Sequence, residues 1–369
     1  MSVPGWMPTA RTHRFPQMPT PDSQARVRDA ERFARAILPA VSRTFSLSVR
    51  VLPGELGRSV LCAYLLCRIA DTLEDDGRAT PARKAELLAE FLCCLDAAAV
   101  ADAFPARAAD IQGDEAHLRL LRHSDLVCVL FRSLPPRSRD RVAHWVREMA
   151  RGMTSFVLRH PDGLRIQTME EYREYCYYVA GTVGCMLTEL WREHGPALPP
   201  PRYDALWARC QLFGEALQTV NILKDIAADA RRENAIYVPE QMLAEHGSSH
   251  AALLDPSHLA ESRAAVGEFI ALAWTDLDSA FEYLLLLPRR ALAIRAFCVL
   301  PLLYAYATLR ELTRTDAMLR SGGTVKISRR EVRSLTIAGV AALCSNALLR
   351  RLIAVVRERP FTPLARGAG

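Results

Sequence analysis

Long stretches without proline or glycine, separated by short segments rich in those residues, most constrain what this chain can fold into. Ala, Leu and Arg dominate these stretches and favour helices, and the apolar residues recur with helical spacing. Aromatic residues are only 7% of the 369 residues, which argues against a sheet-rich fold. The pattern predicts an all-α protein with helices near residues 26–38, 57–76, 82–100, 115–133, 137–159, 169–192, 204–231, 258–285, 289–315 and 329–357.

Segments rich in proline and glycine separate the predicted helices, but none of these segments resembles a linker between domains. Residues 1–24 are rich in Pro, Met and Arg and lack the continuous apolar core of a signal peptide, so we expect a disordered N-terminal tail. We expect a second tail at residues 359–369. A single domain is therefore predicted for residues 25–358.

The charge pattern excludes some classes of function. The formal net charge is +6, and basic residues are interleaved with acidic ones, so no nucleic-acid-binding surface is predicted. A small anionic substrate or a membrane surface fits this charge better. The longest uncharged apolar stretch, residues 296–309, is too short to span a bilayer and contains Pro301, so we expect no transmembrane anchor.

Ten cysteines lie along the chain without C-x-x-C pairs, many of them in apolar helical stretches. This distribution is typical of buried thiols in a cytosolic protein and not of a disulfide framework or a zinc site.

The first acidic segment is YLLCRIADTLEDD, residues 64–76. Asp71, Glu74 and Asp75 lie at i, i+3 and i+4 and share one helix face, which also carries Tyr64 and Arg68. Like charges at this spacing destabilise an isolated helix, so we expect a positive group to compensate them.

The second acidic segment, residues 213–232, places Gln218, Asn221, Asp225 and Asp229 in a polar stripe on an otherwise apolar helix. Mg²⁺ prefers oxygen ligands and is often held by a few carboxylates together with substrate phosphates. Two facing acidic helices could therefore hold a Mg²⁺-diphosphate cluster.

Two other interpretations compete with this one. A single acidic motif is more often a solvated helix face than a site, but two such stripes on apolar helices reverse that balance. A helical di-iron site needs Glu-x-x-His pairs, and none of the nine histidines has Glu three residues before it.

Four motifs follow one another along the chain: VSRTF at 41–45, YLLCRIADTLEDD at 64–76, YCYYVAGTVG at 175–184 and ALQTVNILKDIAAD at 216–229. In this order they resemble the squalene and phytoene synthase family, and the resemblance runs from about residue 41 to residue 358. The resemblance implies a single catalytic domain with the isoprenoid synthase fold, a helical bundle around an apolar channel between the two acidic helices.

The resemblance also implies roles for individual residues. Asp71, Glu74 and Asp75 would bind Mg²⁺ with one diphosphate, and Asp225 and Asp229 would bind Mg²⁺ with the other. Tyr175 would act in catalysis together with the aspartates, by controlling the carbocation and the loss of a proton. The residues implied to contact substrate are Arg43, Phe45, Tyr64, Arg68, Gln218, Asn221, Lys224 and Phe297.

Within the family, residues 296–309 and TVKISRREV at 324–332 resemble the squalene synthase branch, which uses NADPH. Lys326 is thus the candidate NADPH contact, with Arg329 and Arg330 as weaker candidates. No G-x-G-x-x-G fingerprint supports dinucleotide binding independently. The predicted reaction joins two farnesyl diphosphates through presqualene diphosphate and reduces the product with NADPH to squalene.

Three departures from the family pattern keep alternatives open. Ala228 stands where a carboxylate is usual. RRENAIYVP at 231–239 lacks the usual Gly-Arg and has one extra residue, so a diphosphate-binding arginine is either missing or supplied by Arg231 or Arg232. The C-terminal membrane anchor of many eukaryotic relatives is not seen. A phytoene, dehydrosqualene or hydroxysqualene synthase, or a non-catalytic scaffold, therefore remains an alternative.

We expect a cytoplasmic protein with no obligate protein partner. Peripheral contact with the inner membrane surface is a further option, through a helix at residues 329–357 that is basic at both ends and apolar between. Burial of that helix in the core is the favoured interpretation.

Overall fold

The computed structural model describes residues 20–42 and 45–361, and every regular element in these ranges is a helix. One isolated bridge joins Arg165 to Ile236. The all-α prediction is confirmed. The α-helices are α1 Pro21–Val41, α2 Phe45–Arg50, α3 Gly54–Glu74, α4 Pro81–Cys94, α5 Ala98–Arg107, α6 Glu115–Leu121, α7 Ser124–Arg132, α8 Pro136–Arg159, α9 Met169–Cys176, α10 Thr182–His194, α11 Pro200–Arg232, α12 Glu240–Glu245, α13 Leu259–Leu286, α14 Leu292–Thr313, α15 Arg329–Ala342 and α16 Asn346–Glu358.

Four of the predicted helices are each divided in the structure. Residues 82–100 fall in α4 and α5, residues 115–133 in α6 and α7, and residues 329–357 in α15 and α16. Between α9 and α10 the chain continues as a π-helical segment, Tyr177–Gly181. Helix α1 begins at Pro21, inside the predicted N-terminal tail, because Thr20 caps it through the Ser23 amide.

Helix α11 is the longest element, with 33 residues, and it packs against α10, α13 and α14. Helix α3 packs against α8 and α7 and brings the first acidic segment toward α11. Apolar residues of these helices form one continuous core. The two acidic helices are therefore both rooted in the same core.

Helix α14 is the one helix among the described residues that is long and apolar enough to cross a membrane. The prediction that this region is too short to span a bilayer considered only residues 296–309, whereas the helix has 22 residues. However, 83% of its most apolar window is buried inside the protein. The apolar residues of α14 therefore pack in the core of the protein.

Glycines allow α10 and the π-helical segment to lie against the α11 backbone. A Cβ atom on Gly184 would lie 1.9 Å from the Cys210 carbonyl oxygen, and one on Gly214 would lie 2.0 Å from the Ala180 carbonyl oxygen. No side chain fits at such distances. Gly184 therefore allows α10 to pack directly against the α11 backbone.

Buried arginines fix the C-terminal helices. The Arg310 guanidinium, 1% exposed, donates to both carboxylate oxygens of Glu331 at 2.9 and 3.0 Å and so holds α15 on α14. Arg295 of α14 donates to the Leu343 carbonyl at 2.8 Å and to the Asn346 side chain at 2.8 Å. These bonds position the turn between α15 and α16.

Candidate active site

A cavity of about 540 Å³ lies between α3, α11 and α14. One end is acidic and the other is apolar. The cavity brings together most of the predicted site residues. Arg43 lies outside the described residues, and the basic candidates that do not line the cavity are Lys326, Arg329, Arg330, Arg231 and Arg232. The predicted residues that line it are Phe45, Tyr64, Arg68, Asp71, Glu74, Asp75, Tyr175, Gln218, Asn221, Lys224, Asp225, Asp229 and Phe297.

The first acidic group lies at the C-terminal end of α3. Burial raises the pKa of Asp71, and the nearby Arg68 guanidinium lowers it in part. The pKa values of Glu74 and Asp75 are raised further, first by burial and then by neighbouring carboxylates. Asp76 does not share this role, because its carboxylate accepts backbone N–H groups of the following loop, including that of Arg78 at 2.8 Å.

The second acidic group lies on α11 and faces the first. Burial, followed by the charge of Asp225, raises the pKa of Asp229 to about 7. The charge of Asp75 on α3 contributes to the same shift. The two helices therefore concentrate negative charge at one end of the cavity, where a cation would be stabilised.

Glu233, which was not predicted as a site residue, joins this acidic end. It is the C-terminal cap residue of α11, and it lines the cavity. Burial and the charges of Asp229 and Glu74 raise its pKa to about 8. A signal was available in the sequence, because Asp225, Asp229 and Glu233 follow one another at intervals of four residues.

The segment around Glu233 is held in place by neighbouring loops. Asn234 has a positive φ of 54°, and Arg165 donates to its carbonyl and side-chain oxygens at 2.6 and 2.7 Å. A Cβ atom on Gly77 would lie 2.6 Å from the Arg232 carbonyl oxygen, so the chain after the first acidic group touches the end of α11. The altered 231–239 segment is thus ordered and directs Glu233 toward α3.

Three basic side chains approach the acidic end. The Arg68 guanidinium lies 3.2 Å from the Asp71 carboxylate, and its Nε is buried without a hydrogen-bond partner among the described residues. Lys224 pairs with the adjacent Asp225. Lys84 of α4, which was also not predicted, donates to the Glu74 carbonyl at 2.5 Å, and its charge lowers the pKa of Glu74 and Asp75 in part.

Tyr175 is buried where the acidic and apolar parts of the cavity meet. Its hydroxyl donates to the Tyr237 hydroxyl at 3.3 Å, and the Tyr237 hydroxyl lies 3.5 Å from a Glu233 carboxylate oxygen, toward which it donates. Burial raises the pKa of both tyrosines. Tyr175 is therefore a neutral phenol connected through Tyr237 to the acidic end.

Aromatic rings line the apolar part of the cavity. The Phe45 ring lies 6.0 Å from the Tyr64 ring and 6.2 Å from the Phe297 ring, measured between centroids. Trp191 packs edge-on against Phe297 at 5.4 Å. Such faces attract cations and exclude water, so this part can hold an apolar chain that carries a developing positive charge.

A smaller cavity of about 230 Å³ lies behind the tyrosine pair. Glu74, Asp75, Glu233 and Tyr237 line both cavities, and Lys84 lines only the smaller one. The acidic residues therefore separate the apolar channel from a second opening.

The donor set fits Mg²⁺ that is shared with a phosphate ligand. In the described part of the chain, no three His, Cys, Asp or Glu side chains converge to hold a metal ion by themselves. Mg²⁺ rarely uses such a cage, because it keeps water and takes phosphate oxygens along with one or two carboxylates. The unpartnered Arg68 Nε and the excess of carboxylates match a cation that is bound together with a diphosphate.

The remaining predicted residues lie elsewhere. Lys326 is exposed and does not line the cavity, as is also true of Arg329 and Arg330. Arg231 donates to the Ala227 carbonyl and to Ser321, which ties α11 to the segment before Lys326. Neither Arg231 nor Arg232 lines the cavity, so neither occupies the place of the missing arginine.

Comparisons with known proteins identify relatives of this chain. Squalene synthase BSS of Botryococcus braunii is 30% identical over 76% of this chain, and squalene synthase of Schizosaccharomyces pombe is 27% identical over 79%. The chain spans 59% and 63% of the lengths of these two relatives. The human squalene synthase is 25% identical over 87% of this chain and 72% of its own length.

Solved structures share the fold. A TcSQS structure with a bound ligand aligns with a TM-score of 0.75 at 24% identity, over 88% of this chain and 90% of that chain. A dehydrosqualene synthase structure aligns with a TM-score of 0.56 at 19% identity, over 91% of this chain and 98% of that chain. The family model for squalene/phytoene synthase matches residues 38–331. The chain therefore belongs to the squalene/phytoene synthase family.

Proposed function

We propose that this protein is a prenyltransferase that joins two farnesyl diphosphates through presqualene diphosphate and then reduces the product with NADPH to squalene. The observation that carries the proposal is the cavity of about 540 Å³, in which the carboxylates of α3 face those of α11 beside an aromatic, apolar channel. A diphosphate with a long apolar chain matches both ends of this cavity.

The acidic end would bind the diphosphates. Asp71, Glu74 and Asp75 would hold Mg²⁺ with one of them, and Asp225 and Asp229 with the other. Mg²⁺ would neutralise the diphosphate charge and so stabilise it as a leaving group. Arg68 would donate its unpartnered Nε to a phosphate oxygen, which is a charge-assisted bond, and Lys224 would contribute a second positive charge.

Tyr175 would act at the junction of the two parts. As a neutral phenol it can orient its hydroxyl toward a developing cation and assist the loss of a proton when the cyclopropane ring closes. Its hydrogen bond to Tyr237 fixes the position of this hydroxyl. The connection to Glu233 offers the proton a route toward the smaller cavity.

The apolar part would protect the cation from water. Phe45, Tyr64 and Phe297 present aromatic surface along the channel. Water exclusion prevents premature capture of an allylic cation, and aromatic faces lower its energy.

The proposed reduction by NADPH is supported by the similarity to squalene synthases and by the sequence of residues 324–332. The relatives named above are squalene synthases. Lys326 would contact NADPH only if its segment moved toward the cavity, because its side chain is exposed in this structure. We propose Mg²⁺ and NADPH as the cofactors and the cytoplasm as the compartment.

Product analysis tests the proposal. Purified protein would be incubated with farnesyl diphosphate and Mg²⁺, with and without NADPH, and the lipids separated and identified by mass. Squalene that forms only with NADPH is expected. Dehydrosqualene or hydroxysqualene regardless of NADPH would assign a sister activity. No product from farnesyl or geranylgeranyl diphosphate would favour a non-catalytic scaffold.

A further inference from the structure

The outer faces of α15 and α16 expose large apolar side chains. Among the described residues eight large apolar side chains are exposed, and four of them lie here and at the start of α14: Leu292 at 44%, Ile337 at 63%, Val340 at 50% and Leu348 at 48%. We call these four residues the α15–α16 patch. The favoured interpretation, burial of this helix in the core, holds for the inner faces of α15 and α16, where Leu335, Leu349 and Ile353 are buried, and does not describe the outer face.

The patch follows from how the two helices are anchored. Ile337 and Val340 lie three residues apart on α15, and the exposed Cys344 in the turn continues their line toward Leu348. Arg295 bonds from α14 to the turn, so Leu292, three residues before it, lies at the same end of the hairpin. The opposite face of α15 is occupied by the core, where Glu331 meets Arg310.

Unpaired arginines flank the patch. The side chains of Arg329, Arg330, Arg333 and Arg351 are exposed and have no ion pair or hydrogen bond to any described residue. By contrast, Arg350 pairs with Glu282 at 3.1 Å and Arg357 with Asp278 at 2.6 Å. The N-terminus of α15 adds a partial positive charge beside three of the unpaired arginines.

Apolar side chains beside uncompensated arginines match an anionic lipid surface, where apolar groups enter the acyl boundary and arginines meet phosphates. A second copy of the chain fits less well, because two such faces would bring their arginines together. The patch also lies behind the channel. Gly339 of α15 packs against Leu303, and Tyr304, which lines the cavity, shares a hydrogen bond of 2.6 Å with Thr336.

We propose that the α15–α16 patch and its arginines dock the protein on the surface of an anionic membrane. Docking would place α14, which lines the channel, close to the apolar interior of the membrane, where long apolar chains dissolve. The proposal does not depend on the reaction that the site performs.

Vesicle flotation tests the proposal with the full chain. We expect the protein to float with phosphatidylcholine vesicles that contain phosphatidylglycerol and not with phosphatidylcholine alone. Ile337→Asp with Val340→Asp should reduce the bound fraction at least about tenfold, since burial of these side chains supplies the apolar part of binding. Arg333→Gln and Arg351→Gln should each weaken binding by about fivefold at low salt.

Leu158→Asp is the matched control, because Leu158 is 54% exposed but lies at the end of α8, outside the patch. The circular dichroism spectrum and the turnover of farnesyl diphosphate in detergent should be unchanged in all these variants. These two controls separate loss of docking from loss of fold. Equal flotation of the Ile337→Asp/Val340→Asp variant, or no flotation of the wild type, would overturn the proposal. A dimer in light scattering that this variant abolishes would also overturn it, in favour of self-association.

Discussion

At the residue scale, the side chains that set the charge of the site come from positions far apart in the sequence. The aspartates of both acidic segments could be predicted, because each group repeats along a single helix face. Lys84 could not, because only the packing of α4 beside α3 brings it to Glu74. Glu233 continues the spacing of Asp225 and Asp229, but its orientation depends on the Asn234 turn and on Arg165.

Glu233 is expected to strengthen cation binding where Ala228 supplies no carboxylate. Glu233→Gln should weaken Mn²⁺ affinity in the presence of inorganic diphosphate by about tenfold or more, the scale of losing a group that supports a metal. Electron paramagnetic resonance of free Mn²⁺ measures this directly. Glu245→Gln, on an exposed residue of α12, is the control and should leave the affinity unchanged.

Ala228→Glu in the Glu233→Gln background provides a further comparison, because it places a carboxylate one residue before Asp229. Recovery of Mn²⁺ affinity would support a shared role for the two positions. An unaltered affinity in Glu233→Gln alone would contradict the assignment of Glu233 to the site.

At the scale of the elements, the site depends on how closely helices approach one another. The helical content and the place of both acidic helices follow from periodicity and breakers. The π-helical segment that divides residues 169–192 could not be predicted in this way, because its conformation depends on how its backbone packs against α11. Such π-helical segments often occur at functional sites, and this one carries Val179 and Ala180 into the cavity lining.

Gly184→Ala is expected to destabilise the fold by about 1–3 kcal/mol, since the new methyl group would collide with the Cys210 carbonyl oxygen and force α10 and α11 apart. Thermal or denaturant unfolding measures the change. Gly267→Ala in α13 is the matched control, because nothing lies within 4 Å of its Cβ position. It should be neutral or stabilise the protein by up to about 1 kcal/mol. Equal stability of the two variants would contradict the close-packing account.

At the scale of the whole molecule, the fold concentrates carboxylates at one end of a cavity and leaves their charge only partly compensated. The pKa values of Asp229, about 7, and Glu233, about 8, lie above their ordinary values. At a pH between the ordinary and the raised pKa values, these two carboxyl groups have lost their protons in the unfolded chain but keep them in the folded protein. In metal-free protein, stability should therefore fall as pH rises from about 5 to about 8.

Melting temperatures measured across this range in a chelator, and again with Mg²⁺ and diphosphate, test the prediction. Bound cation favours the ionised carboxylates, so the ligands should raise the melting temperature most at the alkaline end. A melting temperature that is highest near pH 8 in metal-free protein would contradict this account of the cavity.

We propose that both acidic helices bind diphosphate through divalent cations in one cavity. Calorimetric titration with a farnesyl thiodiphosphate that ionises too slowly to react tests this, with and without Mg²⁺, for the wild type, Asp71→Asn and Asp225→Asn. We expect Mg²⁺-dependent binding of two molecules to the wild type and the loss of one binding event in each variant. Binding that is independent of Mg²⁺, or that both variants retain in full, would rule out this role of the acidic helices.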